Sequence, residues 1–367
     1  MKVIVAMDSF KGSLTSLEAG NAVREGILAS CPSAEVTVIP LADGGEGTVD
    51  AIAPYIHGIS RTLAVTGPLN SPVEADYVFD PVSKTAYIEM AKASGLTLIK
   101  PEERDPYHVT TYGTGELIKD AVRYGANKLV ICIGGSATND GGAGMLQALG
   151  AKFTDKDGKD ICYGSIGLKD LAKISLSGLI GKDLDITVAS DVTNPLCGPD
   201  GASHVYGPQK GASYEAACKM DGWLLNYAKT AGFDPYEKGT GAAGGMSFAL
   251  KNFLGATIRS GADIVTEITG AESLIKDCDI VITGEGRMDS QTVNGKAPYK
   301  ILHLGKKYGR RVFGITGILG DGYEECISAG FERITPLITP TMDTTKAIQS
   351  VIETARSLSE NYLKKVP

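Results

Sequence analysis

The sequence has no C-x-x-C pair, no run of Lys/Arg longer than two residues and no apolar stretch approaching 18 residues. Each absence argues against a class of protein. Seven cysteines, an odd number without metal-ligand spacing, argue against a disulfide framework or a zinc site and point to a reducing, cytoplasmic setting. A net charge of −7 with scattered cations argues against nucleic acid or an anionic membrane as partner. No segment is long enough to span a bilayer, and the first apolar run, residues 3–7, is too short for a signal h-region. The common catalytic signatures are missing as well. Each Gly-Lys pair lacks the remainder of a P-loop, and Gly284-x-Gly286-x-x-Asp289 lacks the third glycine of a dinucleotide fingerprint. No H-R-D or H-E-x-x-H surrounds the four histidines.

What the chain does have is glycine, 46 residues of it, well above the usual share of about 7%. The glycines gather in loops without a fixed period, which suggests ligand-facing turns. Residues 283–292, read as the loop after an apolar strand at 279–282, combine Gly284 and Gly286 with Glu285, Arg287, Asp289, Gln291 and three hydroxyls. A structural turn needs far less chemistry than this. Residues 133–144 follow a strand-like run at 129–132 and open an apolar helical run, and residues 40–48 occupy a similar strand-to-helix corner. Glycine admits backbone N–H groups close to a ligand, and a helix start favours an anion. Three such corners favour an anionic, phosphorylated ligand.

At 367 residues the chain should form two domains. Residues 2–7 read as a strand, with Thr15 and Glu18 placed to form a capping box for a helix reaching about residue 29. Strands at 35–39 and 61–66 around a helix at 49–56 continue a parallel βα pattern. Residues 73–79 and 85–90 read as an antiparallel hairpin, and residues 194–211 as a long Gly/Pro-rich loop. The βα alternation returns near residue 279 and closes with an amphipathic helix at 344–364. The expectation is a doubly wound, Rossmann-like α/β domain of residues 1–66 and 280–367. It is interrupted by a mixed α/β domain of residues 67–279, with the site in the cleft between the two.

The segments at 7–16, 42–48, 133–144, 189–198, 239–246 and 283–292 closely resemble, in order, the motifs of the bacterial glycerate kinase family. The resemblance runs from Lys2 to about residue 360 without a missing block. It implies a two-domain α/β enzyme that phosphorylates D-glycerate with ATP, giving 2-phosphoglycerate in preference to 3-phosphoglycerate. Homo-oligomerisation is left open.

A kinase needs a metal-bridged polyphosphate, a positioned hydroxyl and an acceptor for its proton. Asp191, at the end of a strand read at 186–190, is the preferred base, and Asn194 could orient substrate. Arg287, with its planar fork, and Lys11 are the cations for a carboxylate or phosphate. Ser136, Thr138 and Asn139 suit phosphate at a helix start, with Ser9, Gly44, Gly45, Gly284, Gly286 and Gln291 as further contacts. Asp43, Glu46, Glu285 and Asp289 are candidate Mg²⁺ ligands. Residues 239–245 read equally as a second phosphate loop or as a close helix contact. A non-catalytic hydroxy-acid sensor is the alternative. A nicotinamide-dependent dehydrogenase is disfavoured by the missing fingerprint.

Overall fold

The computed structural model describes residues 1–363, so Lys364, the expected end of the last helix, lies outside the described residues. The chain divides into two compact units, one of residues 1–43, 50–55 and 262–367, the other of residues 44–49 and 56–261.

The first unit is built on five parallel strands in the order Arg333–Pro336, Arg311–Leu319, Ile280–Met288, Lys2–Met7 and Glu35–Pro40. Parallel sheets are covered on both faces, and the inner strand Lys2–Met7 shows it by alternation. Val3, Val5 and Met7 enter one core with helices Ser16–Ser30 and Thr344–Leu358, while Ile4 and Ala6 enter another with helix Ala297–Lys307. The first of these helices starts as its residues dictate. Glu18 N–H donates to Thr15 Oγ1 at 3.2 Å and Thr15 N–H donates to Glu18 Oε2 at 2.8 Å, completing the capping box.

The second unit has a six-stranded sheet in the order Thr257–Arg259, Asp185–Ala189, Lys128–Cys132, Thr85–Glu89, Pro72–Asp80 and Ile59–Thr66. The first four strands run parallel and the last two pair antiparallel. Its core packs Phe153, Tyr227, Phe248 and Phe253 against the aliphatic sheet residues.

Three expectations are corrected. Strand Ile59–Thr66 belongs to the second sheet, because a short turn, closed by Gly67 N–H on Ser71 O at 2.7 Å, folds it directly onto the next strand. Residues 283–288 continue strand Ile280–Met288, paired with Arg311–Leu319 as far as Met288. The Gly-rich stretch 194–211 contains the helix Ala202–Tyr206.

Candidate active site

In the first unit, acidic and basic side chains gather at the carboxyl ends of the parallel strands, where open α/β sheets bind ligands. Asp8 follows strand Lys2–Met7 and is only 9% exposed. Burial, then the negative charge of Asp43 and that of Glu285, push its carboxyl up to about 7. Ser9 N–H donates to Asp8 Oδ1 at 2.7 Å, so Ser9 supports this carboxyl. Lys11 lies 3.7 Å from Asp43 in an exposed pair that contributes little to stability.

Glu285 is buried, which raises its carboxyl, and it accepts from Thr292 Oγ1 at 2.8 Å and Lys296 Nζ at 3.1 Å. Asp289 accepts from Arg287 Nε at 3.1 Å and from Gln291 N–H at 3.0 Å. Asp289 therefore caps its own turn, and Arg287 already uses one edge of its fork. Gly284 is a packing requirement: a Cβ there would lie 1.7 Å from Ile315 O. Gly286 faces Phe10 at ordinary distance.

In the second unit the turn 44–49 is fixed from below. Gly47 N–H and Val49 N–H donate to the buried Glu89 carboxylate at 2.8 and 3.2 Å, and Glu46 accepts from Thr97 Oγ1 at 3.2 Å. Gly44 has φ +86°, and a Cβ there would meet Ala189 O at 2.5 Å. Gly134 packs on Gly45 and donates its N–H to Gly44 O at 3.0 Å, joining this turn to the 133–142 loop.

That loop rests on a lysine the sequence reading missed. Lys210 is 2% exposed, and its ammonium donates to Ser136 Oγ at 2.8 Å and to Thr138 O at 2.7 Å. Burial pushes it down to about 7, with the charge of Asp140 opposing. Asp140, fully buried, accepts from Thr111 N–H and Oγ1 and from Gly142 and Gly144 N–H. Asn139 Nδ2 donates to Ser203 Oγ at 2.8 Å, while Asn139 Oδ1 and Thr138 Oγ1 are buried without a protein partner.

The 239–245 stretch is a close contact. Ala243, Gly244 and Gly245 are all left-handed, Gly244 packs on Thr138 O, and Gly241 packs on Pro195 O. Gly141 N–H donates to Gly244 O at 2.9 Å and Gly241 N–H to Asn194 O at 2.9 Å, so three loops interlock. Asn194 is committed to that framework: Nδ2 donates to Asp200 O at 2.8 Å and Oδ1 accepts from Tyr206 Oη at 2.7 Å.

Asp191, exposed, lies just beyond strand Asp185–Ala189. It lines a cavity of about 590 Å³ with Ser190, Thr193, Lys238, Lys251 and Arg259.

Ser136, Thr138, Asn139 and Lys210 thus come together, as do Asp8, Asp43 and Lys11. Glu46 belongs to the second unit, whereas Asp43, Glu285 and Asp289 belong to the first. Among the described residues no group of three or more His, Cys, Asp or Glu side chains is arranged to hold a metal ion. Asp8 stood inside a quoted motif, but its burial could not be read there. Lys210 lies in a Pro/Gly-rich segment where no neighbouring residue marks it as buried.

The model of the "Glycerate kinase family" matches residues 3–366. The chain is 47% identical to "Glycerate 2-kinase" of Escherichia coli (strain K12) over 346 residues, which is 92% of this chain and 91% of that protein. It is 42% identical over 354 residues to "Glycerate kinase" of Halalkalibacterium halodurans, covering 95% and 93% of the two chains. A crystal structure of a Salmonella typhimurium LT2 protein with the provisional name glycerate kinase 2 superposes with a TM-score of 0.84. The two share 43% identity over 99% of this chain and 98% of the other.

Proposed function

The chain belongs to the glycerate kinase family, and from that premise we propose that it transfers the γ-phosphoryl group of ATP to D-glycerate. The observation that carries this reading is the match along nearly the whole chain, with named glycerate kinases at 40–47% identity. In the reaction the substrate hydroxyl oxygen attacks the γ-phosphorus. The bond from that phosphorus to the β–γ bridging oxygen breaks, and the hydroxyl proton passes to Asp191. Exposure keeps the Asp191 carboxylate able to meet a substrate hydroxyl. Arg287 offers the remaining edge of its guanidinium to the glycerate carboxylate. Ser136, held by Lys210, and the backbone of the 133–142 loop contact phosphate oxygens.

Mg²⁺ fits the first unit at Asp8 and Asp43, because a buried carboxyl beside a second acid ionises readily when a cation is bound. Mg²⁺, when bound, neutralises charge on the polyphosphate. Glu285 and Asp289, already paired with Lys296, are less suited.

The product is 2-phosphoglycerate. A cation on the carboxylate brings the adjacent secondary hydroxyl into place with little slack, whereas the distant primary hydroxyl swings through a further torsion. The name of the Escherichia coli relative supports the same isomer. The cytoplasm is the setting, in keeping with seven cysteines of which none is disulfide-bonded. No helix among the described residues is long and apolar enough to cross a membrane. The test couples the product to enolase with and without phosphoglycerate mutase. Phosphoenolpyruvate should form with enolase alone. Signal only after mutase is added identifies 3-phosphoglycerate and overturns the assignment.

A further inference from the structure

We infer that the cavity between the end of strand Asp185–Ala189 and strand Thr257–Arg259 seats the part of the nucleotide's triphosphate that the 133–142 loop does not contact, with Asp191 at its wall; this rests on the kinase reading above. The two strands run parallel in register, Ala189 beside Arg259, and residues 190–193 and 256–260 line one recess. Ser190 N–H donates to Arg259 O at 2.9 Å, which extends the pairing one step. Gly239 N–H donates to Thr193 O at 3.0 Å and ties Gly239, also in the lining, to the segment after Asp191. The volume, about 590 Å³, falls inside the range of about 300–1,000 Å³ typical of small-molecule sites.

The lining chemistry selects the ligand. Lys238, Lys251 and Arg259 bring three cations to the lining beside the carboxylate of Asp191, Lys251 being paired with Glu237, and Ser190, Thr193 and Ser260 add hydroxyls. Glu237 accepts from Lys251 Nζ at 2.6 Å and so holds that ammonium in place near the end of helix Ala242–Leu254. Glycerate brings one carboxylate, which one fixed cation satisfies. Three cations around one recess suit a chain of several phosphate charges, and cationic contacts to phosphate are the strong class of hydrogen bond. A carboxylate at the wall would repel phosphate unless it had a separate task, and receiving the hydroxyl proton is such a task.

The experiment compares wild type with Lys238→Met, Lys238→Arg and the double variant Lys251→Met/Glu237→Gln, which leaves no unpaired charge. KM is measured separately for ATP and for D-glycerate, and binding of inorganic tripolyphosphate is measured by calorimetry without substrate. Lys238 is exposed, so its substitution should leave the fold intact. For Lys238→Met and the double variant, KM for ATP should rise about 10-fold, equivalent to about 1.4 kcal/mol, while KM for D-glycerate holds. Lys238→Arg should restore most of the loss. Tripolyphosphate should compete with ATP and bind more weakly to Lys238→Met. A rise in KM for D-glycerate alone would give the cavity to the substrate carboxylate, and unmoved constants would remove it from the site. Either result overturns the inference. If wild type forms no ADP from ATP and D-glycerate, the kinase reading fails, and the calorimetric comparison still decides whether the cavity takes polyphosphate.

Discussion

Replacing Lys210 by Met should change how stability depends on pH, and the size of the change follows from burial. In the unfolded chain the ammonium has its ordinary value of 10.5, whereas in the folded chain burial lowers it to about 7. Between those values the unfolded chain binds one more proton than the folded one, so stability rises with pH across the window and is flat below it for this group. The slope is at most about 1.4 kcal/mol per pH unit, which integrates to about 2.5 kcal/mol between about pH 7.5 and about pH 9.5. Met keeps the length and apolar stem but leaves Ser136 Oγ and Thr138 O without their donor. That loss costs about 1–3 kcal/mol per group and adds an offset nearly independent of pH in this window. The slope, and not the offset, is diagnostic. Urea unfolding followed by the fluorescence of Trp223, the only tryptophan, reports on the second unit that holds Lys210. Wild-type stability should climb by about 2.5 kcal/mol relative to Lys210→Met between the two pH values. Parallel profiles would refute the reasoning, because they would mean that Lys210 keeps an ordinary ammonium despite its burial.

Asp191→Asn should keep the fold and nucleotide binding while lowering turnover by about 10² or more, the scale of a lost general base; unchanged turnover at saturating glycerate would remove Asp191 from that role. Arg287→Lys keeps the charge and loses the fork, so steady-state kinetics should show a higher KM for glycerate or ATP with kcat little altered; two wild-type affinities would dismiss the clamp. Gly284→Ala forces a Cβ to 1.7 Å from Ile315 O and should cost about 3 kcal/mol or more in thermal or urea unfolding. Gly286→Ala, whose Cβ would meet Phe10 at 3.4 Å, should be much milder, and equal costs would contradict the packing account.

Local rules carried much of the fold. The capping box at Thr15 and Glu18 and the hairpin around Pro72–Asp80 depend on residues a few positions apart, so they could be read directly. The errors arose where a partner distant in sequence decides. Polar residues 283–288 look like a loop, yet strand Arg311–Leu319 supplies hydrogen bonds that keep them extended. Strand Ile59–Thr66 fits either sheet by its own alternation, and the adjacent turn settles the matter. At the site, residue type was informative and environment was not. Ser136 and Thr138 were picked as hydroxyls near a helix start, but the cation beneath them comes from 72–74 residues further along. Asn194 carried the right chemistry, although both ends of its amide are taken up by Asp200 and Tyr206.

The six residues 44–49 give the second unit a property its long segment does not suggest. They leave the chain's first unit for a single turn, before the main passage at 56–261 begins. Glu89, within that main passage and 1% exposed, takes N–H groups from Gly47 and Val49 of the early turn. A fragment cut at the ends of 56–261 would therefore leave a buried carboxylate short of two donors. Gly134 would lose Gly44 O as well, at the entrance to the 133–142 loop. The unit is compact in space but is not one continuous piece of sequence, and a continuous fragment that holds all of it, residues 44–261, also takes residues 50–55 from the first unit. Domain transplantation or circular permutation must carry the early turn along, either within residues 44–261 or re-joined ahead of Ile56, if the recipient is to inherit an intact loop.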